Sequence, residues 1–293
     1  NEVRDKNTDD HLSLGEVTDL DHLLSEMRLI KSAAEIKLMR TAGQISAQAH
    51  CRAMTHCRPK LNEFHLQAEI EYEFMRAGAT GPAYTSIVGA GKNACILHYI
   101  ENRDKLRSGE LVLIDAGCEY QNYAADITRT FPINGKFSPS QAAIYDIVLA
   151  AQAAAIDNIA PGLAYDLANQ AAVRVITQGL VELGILEGDI DILIAEHAYR
   201  DFYMHNISHW LGMDVHDVGD YKIDHHWRVY EPGMVLTVEP GIYIAADNTR
   251  VQEKWRGIGV RIEDNILVTQ TGCDILTDGV PRDRQQIEQL MAG

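Results

Sequence analysis

The chain has 293 residues, 46% hydrophobic and 23% charged, enough to bury one large core. Forty-two acidic against 26 basic side chains leave a formal charge of −16, which repels phosphate backbones and argues against a nucleic-acid partner. No run of 18 apolar residues occurs, so no membrane span is expected; the five cysteines, an odd number without a Cys-x-x-Cys pair, favour reduced thiols in a cytoplasmic compartment.

In chain order, residues 1–24 read as a polar lead-in or a former interdomain linker, followed by one domain over 25–293. Ser32 and Glu35 form a capping box that predicts a helix to about Ala53. Asn62 opens a second helix with Leu66, Ile70 and Phe74 at four-residue spacing, stopped by Gly78. Apolar runs over 111–116 and 124–131 flank residues 117–122 and predict a hairpin. Ser138-Pro139 starts another helix, and helical stretches follow over 165–183 and 190–199. Strands are expected over 234–238 and, continuous and β-branched, over 258–269. Strands clustered in the middle and at the end, separated by helices, predict an α+β fold with mainly antiparallel pairing.

Three places in this pattern carry chemistry. A hairpin turning between Tyr120 and Gln121 sets Asp115 opposite Asp126, with Cβ atoms about 5 Å apart, where two like charges repel unless a cation joins them. The competing reading is that one aspartate caps the turn. His205, His209 and His216 fall within twelve residues beside Gly and Asp, and at least one suits a divalent metal. Glu239 and Glu263 each follow apolar strand residues, where a carboxylate needs a partner; Arg261 or Arg256 could serve, as could a cation. Two Asp, one His and two Glu can hold two divalent ions. So oxygen-rich a set favours Mn²⁺, ahead of Co²⁺ and Zn²⁺.

The order Asp115, Asp126, His209, Glu239, Glu263 resembles that of the pita-bread metallopeptidases, which include methionine aminopeptidase, prolidase and aminopeptidase P. The phrases IVGAGKNACILHY (87–99), LVLIDAGCEY (111–120), DITRTF (126–131) and SHWLGMDVHD (208–217) are similar to bacterial aminopeptidase P. This resemblance runs from about residue 25 to the end. It implies a pita-bread (creatinase/aminopeptidase) fold, a curved, mainly antiparallel sheet covered by helices. It implies that the five residues are metal ligands, Asp126 and Glu263 contacting both ions. His98 and His216 would line the substrate site, His205 would support it, and Arg261 and Tyr243 would stand behind the ligands.

The implied activity removes the first residue of peptides with proline in second place. A hydroxide between the metals would attack, Glu239 would take the water's proton, and His216 with His98 would stabilise the oxyanion. The resemblance also implies an N-terminal domain that shapes the groove and the oligomer; it is expected to be absent from this sequence, which leaves peptide length and homo-oligomer formation open. Asn206 stands where relatives usually have Gly, and Ile100 where they often have Thr; Asn tolerates positive φ, so the loop is expected to survive. The alternatives are a prolidase acting on Xaa-Pro dipeptides, a methionine aminopeptidase, and a catalytically weak pita-bread binding module.

Overall fold

The computed structural model describes residues 20–293; residues 1–19 of the expected lead-in lie outside the described residues. Seven helices are described: α1 (Asp21–Leu29), α2 (Ala33–His56), α3 (Glu63–Arg76), α4 (Pro139–Ile156), α5 (Asp166–Glu182), α6 (Ile190–Ala195) and α7 (Arg284–Ala292). The caps act where the sequence places them. Ser32 Oγ accepts from Glu35 N while Glu35 accepts from Ser32 N at 2.7 Å, and Ser138 with Gln141 does the same ahead of Pro139. At α3 a histidine closes the box, Asn62 N donating to His65 Nδ1 at 3.0 Å.

Two expectations are corrected. The stretch 190–199 breaks after α6 because His197 turns left-handed at φ 57°, and a short 3₁₀ turn follows over Ala198–Asp201. The strand expected over 258–269 is two strands, Ile258–Arg261 and Asp264–Val268, with Glu263 at the break.

Every strand pair among the described residues is antiparallel. Leu111–Asp115 lies between Ile87–Ala90 and Thr128–Pro132, and its first four residues are buried, as befits a strand covered on both faces. A second sheet orders Cys273–Ile275, Asp264–Val268 and Val235–Val238, and Gly241–Ile244 pairs with Ile258–Arg261. The break at Glu263 joins the sheets, since Glu263 N donates to Thr128 O at 3.0 Å and Thr130 Oγ1 donates to Arg261 O at 3.0 Å. Helices α2 and α3 pack together beside the first sheet, α4 packs on α5 and on the strands over 235–261, and the apolar core lies between these layers.

Helix α2 carries a fully buried histidine. His50 Nε2–H donates to Ala116 O at 2.9 Å, one residue from Asp115. Burial pushes its pKa from 6.5 to about 4, so the unfolded chain takes up this proton first as pH falls. Stability is therefore full above about pH 6.5 and lost towards pH 4, by about 3 kcal/mol in all. Urea midpoints between pH 7 and 4.5, with EDTA present, should fall less steeply for His50→Gln; parallel curves would show that His50 does not titrate on unfolding.

Candidate metal centre

The five candidate ligands converge from separate elements. Asp115 ends Leu111–Asp115, Asp126 precedes Thr128–Pro132, His209 lies in the loop beside Val235–Val238, Glu239 follows that strand, and Glu263 sits at the break already described. Backbone bonds hold the loop in place: Thr237 N donates to His209 O at 3.0 Å and Glu239 N to Ile207 O at 2.9 Å.

The register of the aspartates differs from the expectation. Asp115 pairs with Thr128, and the hairpin turns at Gln121-Asn122, both at positive φ. The shift is two residues, one full side-chain period, so Asp126 remains on the face of Asp115 as its diagonal neighbour. Gly117 permits this. A Cβ there would lie 1.8 Å from Ala125 O, so any other residue would push the two chains apart.

The neighbours fix most of the proton positions. Tyr84 Oη lies 2.6 Å from Asp115 Oδ1 and 2.5 Å from Asp126 Oδ1, one hydroxyl proton between two carboxylates. Arg261 donates from Nη2 to Asp115 Oδ2 at 2.6 Å, from Nε to Thr128 Oγ1 at 3.0 Å and from Nη1 to Tyr243 Oη at 3.0 Å. Thr128 Oγ1–H is then free to donate to Glu263 Oε2 at 2.5 Å, and Tyr243 Oη–H to His205 Nε2 at 2.8 Å. His205 gives its Nδ1 proton to Asn206 O at 2.8 Å; burial and the Arg261 charge pull its pKa down to about 4, so it stays neutral. Asn206 does not use positive φ, so its place in the loop costs no strain.

His209 shows what the site is built for. Its Nδ1–H donates to Trp210 O at 3.0 Å, which turns Nε2 toward Asp126 Oδ2 (3.4 Å) and Glu239 Oε1 (3.6 Å). A ring nitrogen facing two anions favours a positive charge at that point, carried by a proton or by a metal ion. Burial opposes a positive charge here, but the hydrogen bond and charge of Asp126, aided by Glu239, win and raise the pKa to about 9. The carboxylates point the same way. Burial, then Asp126, Glu239 and Asp115, push Glu263 well above the usual range. Burial takes Glu239 to about 7 against the pull of His209 and Arg261, and it raises Asp115 despite Arg261. Four carboxylates share one guanidinium and one imidazole, and ligand atoms of Asp126, His209 and Glu263 lie within 4.8 Å of one another. This oxygen-rich donor set fits divalent cations.

His205 and His216 flank the cluster. The His216 ring meets that of His209 edge-on at 4.3 Å, and partial burial together with His209 lowers its pKa. His205 Nδ1 is 3.7 Å from Glu239 Oε2. His98 is exposed. Three residues at the centre escape the sequence reading. Tyr84 comes from a loop with no periodic signal. Asn265 clamps the Asp126 backbone, its Oδ1 accepting from Asp126 N at 3.0 Å and its Nδ2 donating to Asp126 O at 2.5 Å. Thr128 does have a signal, since Asp126, Thr128 and Thr130 alternate as polar residues on one buried face.

Known proteins share this fold. The model of metallopeptidase family M24 matches residues 37–270. The Xaa-Pro aminopeptidase of Escherichia coli K12 is 55% identical over 92% of this chain and 60% of its own length; that of Haemophilus influenzae is 55% identical over 96% and 65%. The structure of the Pseudomonas aeruginosa aminopeptidase PepP superposes with a TM-score of 0.93 at 64% identity, over 93% of this chain and 62% of that one. A Glu-to-Ala variant of Escherichia coli aminopeptidase P in complex with substrate gives 0.91 at 54% identity, over 94% and 62%. This chain thus spans about three fifths of the length of these relatives and has their pita-bread fold. With the family model matched over most of its length, the chain belongs to metallopeptidase family M24.

Proposed function

We propose that this chain is the catalytic part of a two-metal aminopeptidase that removes the first residue from peptides with proline in second place. The supporting observation is His209 Nε2 held between Asp126 and Glu239 inside a largely buried set of four carboxylates. The relatives that share this framework are named Xaa-Pro aminopeptidases. Asp115, Asp126, His209, Glu239 and Glu263 would hold two divalent ions, Mn²⁺ on the preference of oxygen donors. When bound, such ions supply Lewis acidity and bring the pKa of a water near neutrality.

The remaining work falls to side chains of the chain itself. Glu239, its side chain 17% exposed, lies within 3.7 Å of His205 Nδ1 and His209 Nε2, and is the carboxylate placed to take the proton of the attacking water and hand it to the leaving nitrogen. His216 and His98 face the substrate side, where an imidazole N–H can donate to a developing oxyanion. Arg261, Tyr243 and His205 form a chain of directed hydrogen bonds that favours the ionised form of Asp115 and keeps His205 neutral. A proline nitrogen carries no N–H, so a site that requires none at that position accepts it and gains nothing from ordinary peptides.

Release of the first residue from Arg-Pro-Pro, compared with Arg-Pro and Met-Ala-Ser, tests this reading. Cleavage of Arg-Pro-Pro is the expected result. Cleavage of Arg-Pro alone would make the activity that of a prolidase, and cleavage of Met-Ala-Ser alone would remove proline from the specificity.

A further inference from the structure

Outside the metal centre the described residues bury one carboxylate among donors rather than cations. Glu63, in the first turn of α3, is completely buried. Its Oε1 accepts from Ala90 N at 2.8 Å and Asn93 Nδ2 at 3.0 Å; its Oε2 accepts from Tyr99 Oη at 2.8 Å and Asp104 N at 2.8 Å. A buried carboxylate is costly unless its lone pairs are filled, and four donors fill those of Glu63. The donors come from one segment, two before His98 and two after it. The carboxylate thus closes the segment 90–104 into a loop with His98 exposed between its tethers.

The frame beneath this loop continues to the metal centre. Glu63 N donates to Asp104 O at 2.9 Å, and Asn62 Nδ2 donates to Arg103 O at 2.8 Å. Asn102, itself buried and at φ 48°, accepts from Val88 N at 2.9 Å and donates to Ser86 O at 2.8 Å. Ile87–Ala90 pairs residue by residue with Leu111–Asp115, Ile87 opposite Asp115. Gly89 lets Asn93 approach, since a Cβ there would lie 2.9 Å from the Asn93 carbonyl. Through these bonds Glu63 fixes the loop that carries His98 to the strand that ends in Asp115.

From this geometry we infer that Glu63 is a positioning residue for the reaction, acting through His98 and having no contact with metal or substrate. The inference rests on the placement of His98 in the substrate site proposed above. A glutamine at 63 keeps the shape but turns an acceptor into a donor that faces other donors, so one side of the loop loses its tether.

A double-mutant cycle on kcat/KM for Arg-Pro-Pro tests it, with Mn²⁺ affinity of each variant measured by calorimetry. Glu63→Gln is expected to lower kcat/KM about tenfold, because small misplacement of a substrate-facing group is costly. Its Mn²⁺ affinity should stay within about twofold of the parent, and the loss should vanish in a His98→Ala background. Equal loss in both backgrounds, a parallel loss of metal affinity, or no loss beside a strong His98→Ala effect would each overturn the role of Glu63. A His98→Ala variant with parent-like kcat/KM would overturn the placement of His98 and the inference with it. Tyr99→Phe, which removes a single donor from Oε2, carries the same cycle with the same expectations if Glu63→Gln does not fold.

Discussion

Asp126→Ala is expected to abolish both divalent-metal binding and peptide cleavage while the chain stays folded. Asp126 is the carboxylate on which most of the site turns: it faces His209 Nε2, shares Tyr84 Oη with Asp115, and is among the charges that raise Glu263. Losing it removes one of the proposed metal ligands and frees His209 from the hydrogen bond that favours its charged form. Cleavage should fall by about a thousandfold or more, about 4 kcal/mol of barrier, since the metal's stabilisation of developing charge goes with the ligand. The fold should survive because the backbone of Asp126 is clamped by Asn265 rather than by the Asp126 carboxylate. Removing one of four mutually repelling carboxylates also relieves the unloaded site. Calorimetric Mn²⁺ titration and circular dichroism on the same sample provide the check. Parent-like cleavage by a variant that binds no metal would contradict the assignment.

The second large effect is expected at Arg261. This side chain is 3% exposed and donates to Asp115, Thr128 and Tyr243, so it holds three elements in one arrangement. Arg261→Leu strands the Asp115 carboxylate and removes the donor that frees the Thr128 proton for Glu263. Breaking a buried pair from one side costs about 3–5 kcal/mol, which in a domain of this size lowers Tm by about 10 °C. Bound ions add about 2.7 kcal/mol to parent and variant alike when free Mn²⁺ exceeds each one's Kd a hundredfold. The diagnostic result is thus a large loss of Tm in EDTA, with Mn²⁺ raising the Tm of both proteins. Equal Tm for parent and variant in EDTA would show that Arg261 does not hold the unloaded site together.

Much of the site is legible in the sequence because its groups sit where strands end. An aspartate after Leu-Val-Leu-Ile or a glutamate after Leu-Thr-Val breaks an apolar run, and a carboxylate in that position asks for a partner. The aspartate pair survives an error of two residues in register because side chains alternate with a period of two. An error of one would have sent Asp126 to the other face. Long-range contacts are what the sequence withholds. Helix α1 buries only Leu29 and leaves Leu23, Leu24 and Met27 exposed, so its spacing signals no core face. Glu26 pairs with Arg228, and Arg28 with Asp214 and Asp217, about two hundred positions along the chain. Tyr84 and Asn265 likewise reach the centre from elements whose local pattern says nothing about it.

Titration of the EDTA-treated chain with Mn²⁺, followed by release of arginine from Arg-Pro-Pro, counts the ions that the reaction needs. No cleavage is expected before metal is added, with a plateau at two equivalents per chain and full loss when EDTA is returned. A plateau at one equivalent would contradict the two-ion assignment, and cleavage that persists in EDTA would contradict the metal centre itself.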